Sequence, residues 1–130
     1  VAACRHDHPL ARKTHLSWQA YFEQDYIGLD RVSGNRTLLD RELAHLTPAR
    51  PSICETRHVT TMLGMVEAGI GIAAVPAMSM PAGEHSVLRA VPLTDPVVTR
   101  TVGLIRLSGR IQSYVAAELE KLIIEQYPSG

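Results

Sequence analysis

The sequence predicts an α/β domain in which a sheet is crossed by helices. Two observations carry this. Short apolar runs bounded by Gly and Pro alternate with stretches whose apolar residues recur at helical spacing. The run Ile70 to Val75 is apolar throughout and follows such a stretch directly, as in a strand buried on both faces. With 130 residues, of which 45% are hydrophobic and 20% charged, the chain is long enough for one real core and too apolar to be disordered or fibrous.

Taken in order, Val1 to Arg5 reads as a short strand, and Asp7-His8-Pro9 ends it, because Pro lacks an amide donor and restrains the residue before it. Ser17 stands as an N-cap ahead of a helix through Trp18 and Phe22. Tyr26 to Leu29 reads as a buried strand, and Ser33-Gly34-Asn35 has turn chemistry. Leu38, Leu39, Leu43 and Leu46 share a helical stripe that Pro48 and Pro51 close, and a short strand follows at Ser52 to Glu55. Val59, Met62, Leu63 and Val66 give the i, i+3, i+4, i+7 pattern of an amphipathic helix ended by Gly69 in a left-handed cap. Val87 to Leu93 and Thr99 to Leu107 read as two more strands. Ile111, Tyr114, Val115, Leu119, Leu122 and Ile123 mark a terminal helix of about sixteen residues.

Composition excludes several functions. Thirteen Lys and Arg balance thirteen Asp and Glu, so the chain offers no excess of cations to a phosphate backbone. Six aromatic residues without interleaved cations make no stacking platform for single strands. The weakly polar stretch from Met62 to Pro81 is too interrupted for a membrane helix. Cys4 and Cys54 sit in apolar runs, as buried thiols do in a reducing compartment. The start at Val1 has neither an initiator Met nor a signal pattern, and is expected to lie inside a longer protein.

No catalytic motif emerges: Gly-x-Ser-x-Gly and His-Glu-x-x-His are absent, and acidic residues are spread singly. Gly69-Ile70-Gly71 is preceded by a helix and followed by a strand, the reverse of a dinucleotide loop, and reads as a tight turn. His6 and His8 flank Asp7 beside Pro9, and the other histidines (His15, His45, His58, His85) are scattered, so no metal site and no cofactor is expected. Two stretches suit ligand recognition. Ser33, Asn35 and Arg36 lead into a helix and offer amides, a hydroxyl and a guanidinium to an anion, or are plain capping. Arg57 and His58 lie between a strand and a helix, where α/β sheets bind ligands, or form a solvated loop.

Three segments in order, Asp7-His8-Pro9-Leu10-Ala11, Val66-Glu67-Ala68-Gly69-Ile70-Gly71-Ile72-Ala73-Ala74-Val75-Pro76 and Leu93-Thr94-Asp95-Pro96, resemble the effector-binding domain of LysR-type transcriptional regulators. The resemblance spans nearly the whole chain. It implies a periplasmic-binding-protein-like (type II) lobe with a mixed sheet. Residues 1–103 would be lobe II with the first crossover strand, and residues 104–130 the return strand and terminal helix of an incomplete lobe I. Arg57, His58 and Val59, the turn around Ser33, Asn35 and Arg36, and Val102 at the second hinge would face a small-molecule effector, with Arg57 and His58 hinting at an acidic one. DNA would be contacted by an N-terminal domain absent from this chain, in a bacterial cytoplasm, by a homodimer or higher oligomer. The terminal helix would dock on lobe II or on another chain, and effector response by the single lobe would be weak or nil. A solute-binding lobe of a transporter and an α/β enzyme domain share this architecture and remain the alternatives.

Overall fold

The computed structural model describes residues 1–82 and 87–127, so His85 lies outside it. Two units form, Val1–Val98 and Thr99–Gly130. In the first, β1 (Ala2–Arg5), β3 (Tyr26–Leu29), β4 (Cys54–Thr56), β5 (Ile72–Ala74) and β6 (Leu88–Val91) make a mixed sheet of order β4-β3-β5-β1-β6. Pairing is parallel for β3 with β4 and β5, and antiparallel for β1 with β5 and β6. A second, two-stranded sheet pairs β2 (Leu16–Ser17) with β7 (Leu93–Thr94) in parallel.

Three helices cover this sheet: α1 (Trp18–Phe22), α2 (Gly34–Glu42) and α3 (Val59–Glu67). Ser17 caps α1 as expected, its Oγ accepting from the Ala20 amide at 3.2 Å. Beyond Asp7, His8 does not act as a strand residue. Its Nδ1 accepts from Leu10 N–H at 3.2 Å and caps a 3-10 turn over Pro9–Arg12. Gly69 takes φ +76° and closes α3 as a left-handed residue. The core divides between the two sheet faces. Trp18, Tyr21, Tyr26, Leu43 and Ile72 pack on one side, and Ile27, Leu29, Met62, Val66 and Leu88 on the other. Cys4 is buried on β1 and Cys54 half-buried on β4; both thiols are free, and two strands stand between them.

Two strand expectations are corrected. Val87 to Leu93 is not one strand: Pro92 supplies no amide to the ladder, so β6 stops at Val91 and β7 pairs elsewhere, with Leu16 N–H donating to Pro92 C=O at 2.8 Å. Thr99 to Leu107 forms no strand, because no described strand pairs with it and an unpaired strand leaves its peptide groups without a ladder. The second unit therefore consists of irregular chain followed by α4 (Tyr114–Gln126), 13 residues long. Ser113 Oγ caps α4, accepting from Ala116 N–H at 3.3 Å, and Gln112 donates to Glu120 at 2.8 Å. Ile105 and Ile111 are 99% and 95% exposed.

Tyr21 ties α1 to the sheet: its hydroxyl accepts from Ala74 N–H at 2.9 Å, and the side chain is 2% exposed. Burial pushes the Tyr21 phenol well above its ordinary value and raises the Cys4 thiol in the same sense. Both groups thus keep their protons in the folded chain at pH values where the unfolded chain releases them. Stability is fully present below the unfolded values and falls as pH rises beyond them, for Tyr21 by about 1.4 kcal/mol per unit above pH ~10. Urea unfolding at stepped alkaline pH reads this slope. Tyr21→Phe lowers stability at neutral pH, since it leaves the Ala74 amide unpaired, and removes most of the alkaline slope.

Candidate functional site

The site forms where β3 and β4 end. These strands are parallel neighbours with Leu29 opposite Thr56, so their carboxyl ends lie side by side and deliver the following loops to one edge. Asp30 N–H extends the ladder to Thr56 C=O at 3.0 Å. The Asp30 backbone carbonyl then accepts from Ser33 N–H at 2.9 Å, and its Oδ1 from Val32 N–H at 3.2 Å, which folds residues 30–33 into a tight turn. Across the edge, Arg57 Nε lies 3.7 Å from Asp30 Oδ2, with the Arg57 side chain largely in solvent and Asp30 half-buried. Asp30 thus links the two ligand-recognition stretches. Sequence reading missed it, although Asp is itself a turn former and Asp30 stands three residues before Ser33-Gly34-Asn35.

The two helices start at this edge. Ser33 is the N-cap of α2 and His58 of α3, both with extended backbone, and neither side chain bonds its own helix. Each helix is nine residues long, so the first-turn amides and the positive end of the backbone dipole open toward the same edge. Arg57 and His58 are exposed, Ser33 and Asn35 half-buried, and Val59 is half-buried against the core cluster that contains Met62 and Val66.

Arg36 is differently placed. Its Nε donates to Asp40 Oδ1 at 2.7 Å, and its Nη1 donates to Leu29 C=O at 3.1 Å and lies 3.5 Å from Glu55 Oε1. The hydrogen bond and charge of Asp40, aided by Glu55, raise the guanidinium further above its ordinary value. Arg36 therefore staples the first turn of α2 to the end of β3. Val102 belongs to the second unit and is exposed.

The mixed sheet, whose parallel strands β3 and β4 lead into two helix N-termini at one edge, has a periplasmic-binding-protein-like (type II) fold. The family model for the LysR substrate binding domain matches residues 1–128, and the chain belongs to that family. The uncharacterised HTH-type transcriptional regulator YbhD of Escherichia coli is 41% identical over 124 residues, covering 95% of this chain and 39% of the relative. The chain thus spans about two fifths of the length of this curated relative. Among solved structures, the effector binding domain of QuiR in complex with shikimate superposes with a TM-score of 0.65 at 21% identity, covering 97% of this chain and 59% of that one. The BenM effector binding domain with its effector benzoate gives 0.61 at 22%, covering 99% and 61%. These likenesses favour a regulator's sensing domain over a transporter lobe or an enzyme domain. Among the described residues, no helix is long and apolar enough to cross a membrane.

Proposed function

We propose that this chain senses a small carboxylate for a LysR-type regulator, and that the carboxylate is held at the edge where β3 and β4 end. One observation carries the reading: two helix N-termini without side-chain caps open beside Arg57 at a single edge. Backbone amides at helix starts favour an anion, and the guanidinium adds a planar fork matched to a carboxylate. Ser33, Asn35 and His58 supply further polar contacts, and Val59 offers apolar contact to the ligand's body. Arg36 acts as a positioning residue that holds the start of α2. Shikimate and benzoate, bound by the two structural neighbours, are both carboxylates, which supports the ligand class.

Regulation then follows as a population shift. An effector that prefers the closed arrangement of two lobes biases it, and a swing from 1:99 to 99:1 takes about 5.5 kcal/mol of differential affinity. DNA contact falls to an N-terminal domain outside this chain, in a cytoplasmic homodimer or higher oligomer.

Residue-resolved NMR titration with benzoate tests the site even where binding is weak. The expected result is amide shifts concentrated at residues 33–36 and 57–59. Arg57→Ala weakens that binding about tenfold, the size of one charge-assisted contact. Stability changes by less than about 0.5 kcal/mol, since Arg57 is a surface residue. Shifts confined to other parts of the chain, or an unchanged affinity in Arg57→Ala, overturn the proposal.

A further inference from the structure

A cavity of about 480 Å³ lies within the first unit, between α2, residues 43–51 and the β3 side of the sheet. One wall is a cluster of aromatic rings: Trp18, Tyr21, Phe22 and Tyr26 stand with ring centroids 5.2–6.0 Å apart in tilted and edge-on arrangements. Leu39, Leu43 and Leu46 form the roof. Although α2 covers this space, none of its own residues is fully buried. The volume and lining match a small-molecule site, which is mostly apolar with few polar groups.

The polar groups at its margin indicate what would bind. Arg36 is engaged by Asp40 and Glu55, and Arg50 lies 3.5 Å from Asp25 Oδ1, so each guanidinium already faces a carboxylate. An anion entering here would have to displace Asp40 from Arg36, a pair closed to 2.7 Å, whereas Arg57 at the edge stands 3.7 Å from Asp30. Tyr26 donates its hydroxyl proton to Arg50 C=O at 3.0 Å, which leaves the phenol oxygen as an acceptor. We propose that this cavity is a second binding site, for a small neutral aromatic molecule carrying one hydroxyl or ring N–H that donates to Tyr26. Its chemistry is the converse of the anion-seeking edge, and the inference stands whether or not that edge binds a carboxylate.

Trp18 is the chain's single tryptophan and stands in the cavity wall, so it reports directly on occupancy. Phenol is the probe and benzoate its anionic counterpart. The expected result is a saturable change in Trp18 emission with phenol that benzoate does not match, and a rise in melting temperature with phenol. At a phenol concentration 100 times Kd the folded-to-unfolded ratio rises about 100-fold. Leu39→Trp, which fills the space from the roof, removes the phenol-dependent rise in melting temperature. No response of the unsubstituted chain to millimolar phenol overturns the proposal. So does an equal Trp18 response to benzoate, or a folded Leu39→Trp chain that keeps its phenol response. The comparison of phenol with benzoate decides the matter without any variant.

Discussion

Trp18→Ala is expected to lower folding free energy by about 3–5 kcal/mol, the range for truncating a large buried aromatic to alanine. Trp18 is 3% exposed and touches Tyr21 and Phe22 at centroid distances of 5.6 and 6.0 Å. Its Nε1–H donates to Pro96 C=O at 3.0 Å, which joins the start of α1 to the segment after β7. Alanine removes the ring contacts, opens a void beside an existing cavity and leaves the Pro96 carbonyl without this donor. A domain of this size has about 5–15 kcal/mol in total, so the loss is a large fraction of it. Urea unfolding followed by circular dichroism measures the difference. A loss under about 1 kcal/mol would show that the aromatic cluster contributes little to the core.

Gly71→Ala is expected to be comparably harmful, lowering stability by about 3 kcal/mol or more, at or beyond the top of the overpacking range. A Cβ at position 71 would stand 2.5 Å from the Asp25 carbonyl oxygen and 3.2 Å from Asp25 C and Ile53 Cδ1. The obstacle is backbone, and it is fixed, because the same Asp25 carbonyl accepts from Ile72 N–H at 3.0 Å where β5 joins β3. Relief requires separating those two strands. Gly64→Ala is the matched control. Nothing lies within 4 Å of its Cβ position inside α3, and alanine there should stabilise by about 0.5–1 kcal/mol. Thermal unfolding of the two variants side by side checks the opposite signs. Equal stability of Gly71→Ala and the parent would disprove the close approach.

Gly69 and Gly71 also show how far a one-dimensional reading reaches. Gly69 as the left-handed end of α3 is a local property, visible in the helical spacing that stops before it. The need for glycine at 71 is non-local, because Asp25 is remote in sequence and meets it only once β5 pairs with β3. The candidate site divides the same way. Its two stretches, around Ser33 and Arg57, were marked by their place between strand and helix. Asp30 as the residue joining them, and the reach of Arg36 to Glu55, depended on the parallel pairing of β3 with β4, whereas Arg36 with Asp40 is a local i, i+4 pair on α2.

What the amino-acid sequence determined by itself was the α/β class, the strands Ala2–Arg5 and Tyr26–Leu29, the cap at Ser17 and the span of α3. Each of these follows from periodicity, capping or turn chemistry within a few residues, where backbone sterics and local hydrogen bonds decide. The order β4-β3-β5-β1-β6, the break of the expected strand at Pro92, the lack of a strand at residues 99–107 and the aromatic cavity beneath α2 were decided by tertiary structure alone. A strand exists only where another strand accepts its peptide groups, and a cavity only where separate elements fail to close. Both depend on which distant segments meet.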